Sequence, residues 1–125
     1  MKLIIAGSRN FTNPQLVANA VRVFLDATAA TVTEVVSGGA PGVDTLGEEW
    51  ANAACLPIKR FPADWDRLGK AAGPIRNQAM ADYADALLVI WDGDSPGSED
   101  ILSRAQRKGL PVLSVVLTKP EASNG

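Results

Sequence analysis

Short runs of apolar residues alternate along the chain with stretches in which apolar positions recur every three to four residues. Such an alternation of buried strands with amphipathic helices is typical of a parallel sheet covered by helices. The predicted strands are Leu3–Ala6, Thr33–Val36, Ile58–Phe61, Ala86–Trp91 and Val112–Leu117. The pattern therefore predicts an α/β fold with about five strands.

Helical periodicity fills the gaps between the strands, over about residues 14–25, 43–54, 74–83 and 98–108. Asn13 and Pro14 suit the start of the first helix, Ser98 is expected to cap the last one, and Gly109 suits its end. The order of elements predicts a Rossmann-like three-layer domain with a mostly parallel sheet.

The run Ala86–Trp91 is the most apolar of the five, so this strand should lie centrally and be buried on both faces. No repeat or linker divides the chain. Residues 1–118 are therefore predicted to form one domain, and residues 119–125 a flexible C-terminal tail.

Composition narrows the possible chemistry. The 125 residues carry a formal net charge of −2, which makes nucleic acid an unlikely partner. There is no histidine, and Cys55 is the single cysteine, so disulfide, zinc and histidine-based catalytic sites are not expected. No metal or cofactor is predicted. Apolar runs are too short for a signal peptide or a membrane span, which predicts a cytoplasmic protein without membrane contact.

Three strand ends carry small turns that contain glycine. They are Gly7-Ser8-Arg9, the segment from Ser37 to Gly42, and the segment from Asp92 to Ser98. Each is a weak signal alone, because glycine is common in tight turns. The carboxyl ends of parallel strands share one edge, so the three turns together favour an anion-binding rim. The spacing Gly38-x-x-x-Gly42 matches neither the dinucleotide fingerprint nor the P-loop, so ordinary NAD binding or ATP hydrolysis is not indicated.

The segment before the fourth strand supplies further candidates. Arg76 and Asn77 fall in the predicted first turn of a helix, where Arg76 suits a phosphate and Asn77 a ribose hydroxyl or a base edge. Trp65 either stacks on a base or packs in the domain. Asp44 either contacts a ribose or caps its own helix.

Other polar and aromatic residues are assigned structural positions. Glu48 and Glu49 are predicted on a solvated helix face, while Trp50 and Trp91 are predicted in the core or at an interface.

These motifs resemble the SLOG superfamily, named for the Smf/DprA and Lonely Guy proteins, and within it the small YspA, cpYpsA-related SLOG domain. The resemblance extends from residue 1 to about 117. The matching segments are Gly7-Ser8-Arg9, Ser37-Gly38-Gly39-Ala40, Gly42-Val43-Asp44, Ala63-Asp64-Trp65, residues 69–80, Ala84-Asp85-Ala86, Trp91-Asp92-Gly93 and Gly97-Ser98.

The resemblance implies a domain that binds nucleotides or their derivatives, including ADP-ribose-like signals. Lonely Guy enzymes of the wider group cleave the N-glycosidic bond of nucleoside monophosphates. Their first signature corresponds to residues 76–80, which keep the arginine. Their second corresponds to residues 92–101, where Ile101 replaces the terminal glutamate. Such cleavage needs a nearby carboxylate, for which Asp44, Asp92 and Asp94 are the remaining weak candidates.

The leading hypothesis is a non-catalytic binding module that senses or sequesters a nucleotide-derived ligand. This ligand is ADP-ribose-like, cyclic or a monophosphate. The alternative is a Lonely Guy-like phosphoribohydrolase, so enzymatic activity is left open. By analogy with relatives, the chain is expected to form a homo-oligomer through Trp50 or Tyr83. The candidate ligand-binding residues are Gly7, Ser8, Arg9, Ser37, Gly38, Gly39, Gly42, Asp44, Trp65, Arg76, Asn77, Asp92, Gly93, Ser95, Gly97 and Ser98.

Overall fold

A computed structural model describes residues 1–117 of the chain; the predicted tail, residues 119–125, lies outside the described residues. Five strands alternate with helices. The strands are β1 (Lys2–Gly7), β2 (Glu34–Ser37), β3 (Ile58–Arg60), β4 (Ala86–Trp91) and β5 (Val112–Val116). The helices are α1 (Pro14–Thr28), α2 (Val43–Ala53), α3 (Trp65–Leu68), α4 (Ala72–Tyr83) and α5 (Pro96–Arg107). A 3₁₀ turn, Gly69–Ala71, joins α3 to α4.

The five strands form one sheet in the order β3-β2-β1-β4-β5, and every pairing is parallel. The predicted Rossmann-like α/β class is therefore confirmed. All six residues of β4 are buried, as predicted, although β1 rather than β4 is the middle strand. The order of strands reverses between β1 and β4, and a crevice at their carboxyl ends follows from that reversal.

Two apolar layers hold helices on the two faces of the sheet. One layer joins the sheet to α1 and α2, with Val21 and Leu46 among its buried members. The other joins the sheet to α4 and α5, through residues such as Met80 and Ile101. The three layers bury β1 and β4 on both faces, which fixes the positions of their carboxyl ends.

Two helix starts differ from the sequence-based prediction. Ser95, not Ser98, caps α5: the Ser95 hydroxyl accepts a hydrogen bond from the amide of Ser98 at 3.4 Å, and Pro96 follows it. Helix α4 begins at Ala72 rather than near Pro74. Proline is tolerated in the first turn because the amides there have no partner within the helix. Arg76 therefore lies in the second turn, not the first.

Glu48 was expected on a solvated face, and that expectation is wrong. Its carboxylate accepts a hydrogen bond from Ser37 at 2.7 Å and pairs with Arg60 at 2.8 Å, with its side chain only 16% exposed. Glu49 is exposed, Trp91 is buried, and Trp50 packs against the core on the α1–α2 face. Within residues 1–117, no helix has the length and apolar character needed to cross a bilayer.

Gly7, at the carboxyl end of β1, pairs with Ile90 of β4. A Cβ at residue 7 would lie 1.9 Å from the carbonyl oxygen of Ile90, so the substitution Gly7→Ala must push two central strands apart. We expect it to lower the free energy of unfolding by about 3 kcal/mol, at the upper end for overpacking.

The matched control is Gly97→Ala, in the first turn of α5, where an added Cβ meets nothing within 4 Å. This change should be neutral or stabilise by up to about 1 kcal/mol. Urea unfolding of both variants measures the difference. Equal midpoints for the two would contradict the proposed packing of Gly7.

Candidate functional site

The crevice at the carboxyl ends of β1 and β4 opens into a cavity of about 600 Å³. This volume lies within the range of about 300–1,000 Å³ that is usual for small-molecule sites. The wall is made by Ala6, Gly7, Arg9, Ala40, Asp44, Trp65, Lys70, Gly73, Pro74, Arg76, Asn77, Met80, Ser95, Pro96, Gly97, Ser98, Asp100 and Ile101.

The structure brings many of the sequence-based candidates to this one wall, whereas others do not line it. The candidates on the wall are Gly7, Arg9, Asp44, Trp65, Arg76, Asn77, Ser95, Gly97 and Ser98. Those not on it are Ser8, Ser37, Gly38, Gly39, Gly42, Asp92 and Gly93, as well as the carboxylate candidate Asp94.

Ser8 does not line the wall, because its polar groups bind the protein itself. Its amide donates to Ile90 O at 3.0 Å, and its hydroxyl accepts from the amide of Asp92 at 3.2 Å. Its carbonyl accepts from the amide of Val43 at 3.2 Å. Ser8 is 3% exposed and joins β1 to β4 and to α2, so its contribution to the site is structural.

The second glycine turn is likewise held by internal contacts. The hydroxyl of Ser37 donates to Glu48 and accepts from the amide of Gly39 at 3.0 Å. A Cβ on Gly42 would lie 2.4 Å from the carbonyl oxygen of Ser8, so glycine at this position permits close approach of two turns. Of this turn, Ala40 lines the wall, while Ser37, Gly38, Gly39 and Gly42 do not.

The third turn is stabilised by Asp92, whose Oδ1 accepts from the amides of Asp94 at 2.9 Å and Ser95 at 3.0 Å. These bonds bring the first turn of α5 to the cavity, where Gly97 and Ser98 line the wall. Helix N-termini attract anions because their first amides are unpaired and the helix dipole is positive there.

Arg76 is held in place at two of its nitrogens. Its Nη1 donates to the carbonyl of Gly38 at 2.7 Å, and its Nε donates to Oδ1 of Asn77 at 2.9 Å. No acceptor within residues 1–117 is bonded to Nη2. Burial lowers the pKa of the guanidinium, and the neighbouring Asp44 carboxylate partly offsets that effect. Arg76 thus presents an oriented donor to the cavity.

Asp44 lies beside Arg76 on the same wall and is 5% exposed. Its Oδ2 accepts a hydrogen bond from the amide of Ala40 in the second glycine turn at 3.3 Å. Asp44 does not cap its own helix, because the N-cap position of α2 is Gly42. Burial raises the pKa of Asp44 to about 6, against the lowering effects of the Ala40 amide and Arg76. No ion pair within residues 1–117 joins Asp44 to Arg76.

Trp65 stands at the rim, half exposed at 51%. The edge of its six-membered ring contacts Gly73, where an added Cβ would lie 3.1 Å from ring atom Cη2. Trp65 therefore packs in part on α4. The exposed remainder is an apolar surface next to the cavity, and its stacking on a base stays a prediction.

Sequence reasoning missed three residues of the wall that carry charge or shape its floor. Lys70 adds a cation from the 3₁₀ turn, Asp100 adds a carboxylate from α5, and Met80 belongs to the apolar floor together with Ile101. Lys70 belongs to a quoted motif, but its spacing gives no sign of which way it faces. Over residues 1–117, no group of three or more His, Cys, Asp or Glu side chains is arranged to hold a metal ion.

The all-parallel sheet, the reversal of strand order and the crevice above it define this chain as a Rossmann-like α/β domain. The chain belongs to the YspA, cpYpsA-related SLOG family, whose family model matches residues 1–68. That match covers the first two glycine turns and Trp65, while Arg76 and α5 lie beyond it.

Similarity to a curated protein extends over nearly the whole chain. The Gene 61 protein of Mycobacterium phage D29 is 31% identical over 119 residues, covering 90% of this chain and 94% of the phage protein. No solved structure matches the chain significantly.

The buried carboxyl of Asp44 predicts a particular dependence of stability on pH. Its pKa is raised from 3.8 to about 6 on folding, so between these values the folded state holds a proton that the unfolded state has lost. The stability contribution of Asp44 is therefore fully present below about pH 4 and is lost as pH rises through 6. The loss amounts to about 3 kcal/mol.

Asp44→Asn removes this titration, so the variant should gain stability relative to the wild type between pH 4 and pH 7. Asp26→Asn, at an exposed position on α1, is the control for the removal of one carboxylate from the protein. Chemical unfolding across the pH range measures all three. Parallel curves for Asp44→Asn and the wild type would show that the carboxyl does not titrate as described.

Proposed function

We propose that the cavity binds a nucleotide or nucleotide-derived ligand, and that the protein senses or sequesters this ligand. The observation that carries the proposal is Arg76, which lines the cavity of about 600 Å³, is held at Nη1 and Nε, and has no partner within residues 1–117 at Nη2. A guanidinium that is already oriented binds phosphate oxygens at a lower entropic cost than a mobile one.

The other parts of the wall match the remaining parts of such a ligand. In this proposal the phosphate lies between Arg76 and the first turn of α5. Asp44 accepts a hydrogen bond from a ribose hydroxyl, and the exposed part of Trp65 stacks on the base. Arg9 and Lys70, both exposed, add positive charge at the rim.

Hydrolysis of an N-glycosidic bond is the second candidate, and the positions of the carboxylates limit it. Ile101 occupies the wall at the place where the resemblance to Lonely Guy enzymes implies a glutamate, and it is 2% exposed. Asp92 and Asp94 are not on the wall. Asp44, with its raised pKa, is the carboxyl that this activity would use.

Homo-oligomerisation and a cytoplasmic location stay predictions, as does the absence of a nucleic-acid partner. Of the two proposed interface residues, Trp50 is partly packed against its own core, and the hydroxyl of Tyr83 donates to Glu34.

Calorimetry tests the leading proposal with ADP-ribose, cyclic ADP-ribose isomers, NAD and nucleoside monophosphates. We expect at least one to bind with a Kd below about 1 mM, and Arg76→Gln to weaken that binding at least tenfold, because a charged hydrogen bond contributes about 1.5–3 kcal/mol.

Arg22→Gln, on an exposed position of α1 across the sheet from α4, should bind like the wild type. If no compound binds, the proposal fails. Incubation of the protein with AMP, followed by chromatography, decides between the two candidate functions. Release of adenine above a heat-killed control would favour the hydrolase.

Alanine substitutions of Gly38 and Gly39 provide a second test. We expect one to weaken nucleotide binding and the other to lower stability. A Cβ on Gly38 would lie 2.5 Å from Nη1 of Arg76 and 2.9 Å from Oδ2 of Asp44. Gly38→Ala should displace the end of the Arg76 side chain rather than the backbone, which costs little stability but weakens nucleotide binding at least tenfold.

Gly39 has φ +74°, and an added Cβ would meet nothing within 4 Å. Gly39→Ala should therefore cost about 1–2 kcal/mol of stability through its left-handed backbone and leave nucleotide affinity nearly unchanged. Thermal unfolding and calorimetry on the same samples give both quantities. The reverse pattern would contradict the assigned role of Arg76.

A further inference from the structure

A chain of hydrogen bonds crosses from α5 to α4 and ends on Arg76. Arg104 Nε donates to Oδ2 of Asp100 at 2.9 Å, and Nδ2 of Asn77 donates to the same oxygen at 2.8 Å. The Oδ1 of Asn77 then accepts from Nε of Arg76 at 2.9 Å. Asn77 also donates to the carbonyl of Gly97 at 3.4 Å and is 4% exposed.

The amide of Asn77 has one orientation that satisfies both neighbours. Arg76 can only donate, and an ionised Asp100 can only accept. Reversing the amide would set its NH₂ group against the donor of Arg76 and its oxygen against the carboxylate of Asp100. Asp100 is the charged acceptor that, together with the carbonyl of Gly97, keeps the NH₂ group of Asn77 turned away from Arg76.

Asp100 is itself held firmly in the ionised form. Burial disfavours its charge, but hydrogen bonds from Arg104 and Asn77 outweigh burial, so the pKa of Asp100 is lowered. Arg104 also donates from Nη1 to Oε1 of Gln78 on α4 at 3.0 Å. The carboxylate is thus clamped by an arginine that contacts both helices.

We propose that Asp100 is a positioning residue that, through the amide of Asn77, holds the guanidinium of Arg76 in its cavity-facing orientation. The inference rests on the proposed function in one respect, namely that Arg76 binds the anionic part of the ligand.

A simpler view of Asp100 gives the opposite expectation. Its carboxylate lies on the cavity wall, and if it acted only as a negative charge it would repel an anionic ligand. Asp100→Asn would then strengthen binding. If Asp100 positions Arg76, the same substitution weakens binding, because a neutral amide at residue 100 holds Asn77, and through it Arg76, less firmly than a carboxylate does.

The first experiment needs no ligand. The Nε–H signal of Arg76 is observed by ¹⁵N–¹H NMR, assigned by its loss in Arg76→Lys, and its exchange with water is measured. Asp100→Asn should speed this exchange several-fold. Asp26→Asn is the control, since Asp26 is exposed on α1, across the sheet from α4 and α5. Unchanged exchange in Asp100→Asn would overturn the proposal.

The second experiment titrates ADP-ribose into the wild type, Asp100→Asn, Arg76→Gln and the double variant. We expect Asp100→Asn to weaken binding about fivefold, the equivalent of one hydrogen bond. In the Arg76→Gln background the same change should cause no further loss. A general loss of structure would instead weaken binding in both backgrounds.

The outcomes separate the two proposals. If Arg76→Gln binds ADP-ribose like the wild type, the proposed function fails while the exchange measurement still decides the role of Asp100. If Arg76→Gln binds more weakly and Asp100→Asn binds more tightly, the proposed function stands and the positioning role is overturned. Should Asp100→Asn fold poorly in thermal unfolding, Arg104→Gln replaces it, with faster Nε–H exchange again expected.

Discussion

The contact between the carboxyl ends of β1 and β4 is the constraint on which the site depends. It exists because residue 7 has no Cβ and can meet the carbonyl of Ile90, which then accepts the amide of Ser8. Ser8 also bonds to the amides of Asp92 and Val43. One small residue thus joins both strands and α2, and the cavity lies where the chain segments leaving this junction diverge.

The glycines of the site serve packing more than direct approach of a ligand. Gly7 admits a neighbouring strand, Gly42 admits the first turn, and Gly38 leaves room for Arg76 and Asp44. In each case the missing Cβ lets protein groups come close together. In the proposed function, anion binding therefore depends on a side chain, Arg76, whose position requires the space that Gly38 leaves.

The fold was predictable because apolar runs and helical periods are local properties of the sequence. The predicted cap of α5 was Ser98, but the sequence already favoured Ser95, since a proline directly after it suits the first helical position. The roles of Glu48 and Asp100 were not, because each depends on partners from other elements, such as Ser37 and Asn77. Periodicity indicates which face of a helix is apolar. It does not indicate which donors from other elements bind a carboxylate.

Asp44 and Arg76 are neighbouring groups of opposite charge, yet no ion pair within residues 1–117 joins them. A close opposite charge lowers the pKa of an acid, whereas burial raises it. Here burial is the largest influence on both groups: the pKa of Asp44 rises and that of Arg76 falls. The protein therefore offsets only part of the free-energy cost of burying each charge. A phosphate near Arg76 and a hydroxyl near Asp44 would stabilise these charges further. The pKa shifts therefore support the proposed ligand, which carries both groups.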